Sequence, residues 1–128
     1  MKSNISMKNG TVKSGEFTYC RTPRVLKAYG SEYTIPVRTV EFDEKLTQAA
    51  KTISETATMS TSETVSAIRE GIALFIGAEE TERIFPKDKL METDVDEILS
   101  FWQALNYEMK QAQDELLSKY RPSAAVRR

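Results

Sequence analysis

Histidine is absent from the 128 residues, and cysteine occurs once, at Cys20. Without histidine there is no Ser-His-Asp or Cys-His nucleophilic machinery and no histidine-bearing zinc site. One cysteine excludes an internal disulfide. The five glycines, Gly10, Gly15, Gly30, Gly71 and Gly77, never fall at the spacing of a phosphate loop or a dinucleotide fingerprint. No run of about 18 apolar residues exists, so no membrane span is expected. No basic-then-apolar leader opens the chain, so the expected location is the cytoplasm. No enzyme, cofactor or metal site is expected from this inventory.

Hydrophobic residues make up 40% and charged residues 29%, enough for one modest core and too apolar for wholesale disorder. The formal net charge of −1 hides an asymmetry. Residues 1–40 carry seven Lys/Arg and two acids, residues 41–118 seven Lys/Arg and seventeen acids, and residues 119–128 four Lys/Arg and no acid. Two readings fit: an acidic helical body with solvated basic arms, or arms and body that meet different partners or dock between copies. The arms lack a dense basic cluster and the body repels phosphate, so nucleic acid is not an expected partner.

The expected organisation is a flexible arm over 1–15, a single α+β domain over 16–122 and a flexible tail over 123–128. Glu16–Cys20 is β-branched and aromatic, as a strand is. Arg24–Ala28 leads to a turn signal at Tyr29–Glu32, which predicts a hairpin around Gly30. In Tyr33–Val40, Tyr33, Ile35 and Val37 alternate with polar residues or proline, the period of a strand with one buried face. Pro36 makes that strand an edge or a broken one.

Helical spacing follows. Asp43 is the expected N-cap of a helix ending near Ala57, with Phe42, Leu46, Ala49, Ala50 and Ile53 on one face. Ser60 with Glu63 has capping-box spacing before the stripe Val65, Ile68, Ile72, Phe75, Ile76. Gly71 inside that stripe costs about 1 kcal/mol relative to alanine, which suggests a close helix approach. Gly77 is the expected stop, followed by a short acidic helix Ala78–Ile84 and a linker over 86–92. Thr93 with Asp96 repeats the capping pattern ahead of a long helix over 94–120. Its broad stripe includes Val95, Ile98, Leu99, Trp102, Leu105, Met109, Ala112, Leu116 and Leu117 or Tyr120. A helix of about 40 Å exceeds what this domain needs, so its far end should project or pack on another chain. The fold expected is therefore α+β, mainly α-helical: an N-terminal β-hairpin packed on three or four helices with a long C-terminal helix.

Candidate chemistry is sparse. Glu79, Glu80 and Glu82, and Glu92, Asp94, Asp96 and Glu97, sit where acids favour helix N-termini; a cation site or acid/base pair requires them to converge. Cys20 reads as a small apolar filler. Phe101 and Trp102 point about 100° apart on their helix. Both belong to a broad core face, or Phe101 with Tyr107 anchors a partner chain. The segment Phe17–Arg21 has the look of a base-stacking platform but no basic density around it, so it reads as ordinary strand.

Several phrases together carry a resemblance. They are Val37–Leu46, Ala73–Pro86, Asp96–Leu105 and Lys119-Tyr120-Arg121-Pro122, of which Gly77–Pro86 is the most distinctive. Over residues 33–122 the chain resembles the small tail assembly chaperones of long-tailed phages and prophages of Gram-positive bacteria. The resemblance implies a helical, non-catalytic protein of the host bacterial cytoplasm. Such chaperones coat the tape-measure protein while the tail tube polymerises, and then leave. A longer frameshifted form recruits tail tube protein; this chain would be the short form. Alternatives are a head–tail connector or tail-completion protein, or a small DNA-binding regulator. On the chaperone reading the chain self-associates as a homo-oligomer and offers apolar helix grooves to a long helical client. The expected interaction surface is Phe75, Ile76, Phe101, Trp102, Leu105 and Met109.

Overall fold

The computed structural model describes residues 14–120. Two short strands, β1 (Val25–Ala28) and β2 (Ser31–Thr34), precede four helices: α1 (Val40–Thr56), α2 (Thr61–Ile76), α3 (Ala78–Ile84) and α4 (Val95–Tyr120). A 3₁₀ segment, Lys87–Glu92, joins α3 to α4. The architecture is α+β and mainly helical, as the periodicity predicts. Most of the arm expected over 1–15, the last two residues of the domain expected over 16–122 and the whole tail expected over 123–128 lie outside the described residues.

β1 and β2 form an antiparallel hairpin in the register Val25↔Thr34, Leu26↔Tyr33, Lys27↔Glu32 and Ala28↔Ser31. Tyr29 and Gly30 turn it with φ of 54° and 77°, the pair of positive angles that matches strand twist. The second strand is shorter than its alternation suggests. Ile35 N–H donates to the Arg24 carbonyl at 2.8 Å, and the pairing then stops before Pro36, which has no N–H. Tyr33 and Ile35 are buried as expected, but Val37 is 56% exposed. Glu16–Cys20 is not a strand either: among the described residues no strand pairs with it, and its backbone is held by a tyrosine hydroxyl instead.

Two expected caps move. The N-cap of α1 is Thr39, whose hydroxyl accepts from Phe42 N–H at 3.0 Å; Asp43 is already helical and pairs with Arg38 at 2.7 Å. The N-terminus of α4 is capped by Asp94, whose carboxylate accepts from Asp96 and Glu97 N–H, while the Thr93 hydroxyl donates backward to the Lys89 carbonyl. The first helix starts a full turn earlier than expected, and at α4 the adjacent residue caps the first-turn amides. Ser60 caps α2 as its spacing predicts, accepting from Glu63 N–H.

The core lies between α2, α4 and the hairpin. Ile68, Ile72, Ile98 and Leu105 are its most enclosed side chains. α2 and α4 approach closely because Gly71 faces the Trp102 ring: a Cβ there would stand 2.5 Å from Trp102 Cζ3. Phe75 meets the same ring edge-on at 6.0 Å. α1 is the outermost layer and buries no residue fully; Phe42, Leu46, Ala49 and Ile53 rest half-buried on the core.

Polar ties fix the smaller pieces. Arg69 is buried, and its guanidinium donates to the Phe85 carbonyl at 2.7 Å and to Glu82 at 2.9 Å, clamping α2 to the end of α3. Arg83 donates to Glu80, to the Tyr33 hydroxyl and to the Tyr29 carbonyl, so α3 grips the hairpin. Arg24 donates to Glu108 at 2.6 Å and lies 3.5 Å from Glu115, which fixes the start of β1 along α4.

Candidate functional site: an aromatic cleft at the end of the long helix

The six side chains expected to meet a partner come together, but mostly inside the chain. Phe75, Phe101, Trp102, Leu105 and Met109 are all buried, and Ile76 is half-buried against the same cluster. Phe101 lies inside the chain, where Tyr29 and Tyr33 pack edge-on against it at 5.2 and 6.4 Å. Tyr107, paired with it on the sequence reading, is 57% exposed. The reason is the hairpin and α2, which close over the middle of α4 from two sides and consume that part of its stripe.

The stripe outruns its cover. α4 has 26 residues, about 39 Å of helix, and the core ends near Met109 and Ala112. Leu116, Leu117 and Tyr120 lie one to two turns beyond. Among the described residues no other helix or strand covers them. The extended segment Phe17–Cys20 crosses there instead.

Tyr120 is the fastening. Its hydroxyl accepts from Cys20 N–H at 2.7 Å and faces the carbonyl oxygens of Cys20 and Thr18 at 3.0 and 3.1 Å, to which its own proton can go. Its ring stacks on Tyr19 at 5.7 Å and meets Phe17 at 5.3 Å. The three rings sandwich little else. Phe17 is 72%, Tyr19 54% and Leu117 56% exposed. Together with Leu116 and Tyr120 they line an open cleft of about 460 Å³. A second depression of about 260 Å³ continues from it along α4, over Tyr19, Val37, Met109 and Leu116, with Arg21 and Arg38 on its rim.

On the other side of the crossing the lining turns polar. Cys20, Arg21, Thr22, Glu115 and Lys119 surround a hollow of about 280 Å³. Lys119 Nζ lies 3.1 Å from Cys20 Sγ. That hydrogen bond, helped by the Tyr120 hydroxyl, holds the thiol below its ordinary value and raises the lysine in return. Cys20 is exposed, so the sequence reading of a buried filler is corrected.

The arrangement offers aromatic stacking, apolar burial and a rim of basic side chains. These are means of holding another polypeptide without covalent chemistry. Among the described residues no three metal-ligating side chains converge, so the acids near Gly77 and at the start of α4 do not gather into a cation site. No helix among the described residues is long and apolar enough to cross a membrane. In comparisons with protein-family models, with curated proteins and with solved structures, nothing matches this chain.

The length of the last helix had already pointed to its far end as projecting or packing on another chain, but Phe17, Tyr19, Leu117 and Tyr120 were not named as site residues. An apolar stripe that continues two turns past the point where the rest of the chain can cover it must face something else.

Proposed function

We propose that the protein is a non-catalytic tail assembly chaperone, which binds tape-measure protein and promotes tail tube assembly in the host bacterial cytoplasm. One observation carries the association part of this reading: among the described residues a contiguous aromatic and aliphatic cleft stays open at the end of α4. Large apolar side chains clustered in this way mark surfaces for other polypeptides. The sequence phrases of residues 33–122 supply the identity of the client. The lack of histidine and of phosphate-binding loops supports a role in binding rather than catalysis.

Co-expression with the tape-measure protein of the same phage or prophage tests it. The expected result is co-purification and a rise in soluble tape-measure protein, with the chaperone absent from finished particles by mass spectrometry. A folded protein that captures none of this client overturns the reading. So does a fixed stoichiometry in purified particles, which belongs to a connector or tail-completion protein.

A further inference from the structure

Residues 16–22 form a strap across the last turns of α4, and the strap is held thinly. Among the described residues no backbone-to-backbone hydrogen bond engages 14–23. The polar ties to α4 converge on two adjacent residues. The Tyr120 hydroxyl meets the Cys20 N–H and the carbonyls of Thr18 and Cys20, and Lys119 meets the Cys20 carbonyl and thiol. Glu16–Cys20 are all exposed, and hollows of about 280 and 260 Å³ flank the crossing. Just beyond the strap the chain is firmly fixed, since Arg24 pairs with Glu108 at 2.6 Å. Beneath the strap the core seam of α4 continues. Ile98, Trp102, Leu105, Met109, Ala112 and Leu116 follow one another at alternating intervals of four and three residues, the repeat of a seam that packs on another helix. The end of this seam, Ala112 and Leu116, shares a hollow with Cys20, Arg21 and Thr22 of the strap.

We infer that residues 16–22 are a displaceable cover: the strap occupies, within the chain, the end of the α4 seam that an apolar helix of a client polypeptide takes once the strap lifts. This rests on the reading of the cleft as a polypeptide-binding surface and adds how that surface opens. Lifting breaks no strand ladder. The strap groups that leave the Tyr120 hydroxyl pass into water, so no polar group is stranded. The Phe17 and Tyr19 rings already keep more than half of their surface in water, so little apolar burial is lost. Segments tied this weakly open locally while the rest of the chain stays folded. The ion pairs of Arg24 with Glu108 and Glu115 mark where the opening stops. An incoming helix gains the contacts that the strap leaves unmade. It packs on Ala112 and Leu116 in line with the approach that α2 makes to Trp102 farther up the same seam. Heptad spacing on α4 calls for a partner helix with large apolar side chains at the same spacing.

The test compares a loosened and a locked strap in the full chain. Tyr120→Phe keeps the ring and removes the hydroxyl that fastens the strap. A short maleimide–succinimide reagent, placed on the sole cysteine and closed onto Lys119, ties the strap down; peptide mapping confirms the link. A chain whose Cys20 is capped with N-ethylmaleimide controls for the modification itself. The probe is a fluorescent amphipathic helical peptide with leucine at heptad spacing, followed by anisotropy. Tyr120→Phe is expected to keep the wild-type circular dichroism, to exchange the amide hydrogens of 18–21 about tenfold faster than wild type, and to bind the peptide several-fold more tightly. The tied chain is expected to bind it several-fold more weakly than the capped control. Leu116→Gln in the Tyr120→Phe chain should lose the gain, which places the peptide on the seam. A tied chain that binds as tightly as the capped control overturns the inference, as does unchanged exchange or unchanged peptide binding in Tyr120→Phe. If Tyr120→Phe only grows larger in analytical ultracentrifugation, the seam takes a second copy and the inference fails. If tied and untied chains capture tape-measure protein equally, the inference fails and the chaperone reading stands. If the peptide behaves as expected and no tape-measure protein is captured, the inference stands and the chaperone reading fails.

Discussion

Gly71→Ala is the sharpest probe of the packing. In a helix interior alanine is favoured over glycine by about 1 kcal/mol, so propensity alone predicts a gain. The surroundings predict the opposite. A Cβ at position 71 stands 2.5 Å from Trp102 Cζ3, 2.8 Å from Cη2 and 3.2 Å from Cε3. Carbon atoms prefer about 3.5–4.0 Å, so the ring must retreat by about 1 Å. It has little room, being buried and braced edge-on by Phe75. Overpacking of this kind costs about 1–3 kcal/mol. The net expectation is a loss of about 1 kcal/mol, read as a melting point lower by roughly 4 °C for a domain of this size. Urea unfolding followed by circular dichroism measures it, and the emission of the sole tryptophan reports the ring's displacement directly. The decisive arm is a double-mutant cycle. Trp102→Phe removes the outer ring atoms, and in that background Gly71→Ala is expected to stabilise by up to about 1 kcal/mol. If Gly71→Ala stabilises the wild-type chain, or if its effect is the same in both backgrounds, the close approach of α2 and α4 at this point is wrong.

Two further outcomes follow from named contacts. Arg69→Met is expected to lose about 1–3 kcal/mol in thermal unfolding, because the Phe85 carbonyl loses its donor. Arg69→Lys recovers only part, since one ammonium cannot reproduce the guanidinium fork, whereas Glu82→Gln costs under about 1 kcal/mol because Glu82 is largely exposed. At the crossing, Lys119 favours the Cys20 thiolate, so alkylation of Cys20 should reach half its maximal rate at a lower pH than alkylation of a free cysteine thiol does. Lys119→Met should move that midpoint upward and slow alkylation near neutrality; an unchanged profile means that Lys119 does not sit against the thiol in solution.

Much of this fold is local and therefore legible in sequence. The hairpin turn needs positive φ at two positions, and a tyrosine-glycine pair between alternating residues marks it. The helices over 61–76, 78–84 and 95–120 announce themselves by period and by Ser60, Gly77 and Pro122. The expected caps at Asp43 and Thr93 gave way to Thr39 and Asp94 because several nearby polar residues suit the start of each helix. Only the final backbone path picks one.

What sequence could not assign is which stretch of one apolar stripe is interior. Periodicity gives a direction around the helix axis and says nothing about how far along it a neighbour extends. Phe101, Trp102 and Leu105 fall under α2 and the hairpin and became core, while Leu117 on the same helix lies beyond them and stayed open. The exposed side chains of Glu16–Cys20 show the same limit. Their composition suits a strand, but a strand exists only where a partner edge is free, and here the nearest anchor is the Tyr120 hydroxyl. Residue spacing thus determined the elements and their faces. Tertiary packing alone decided which faces were used up, because burial depends on where the rest of the chain can reach.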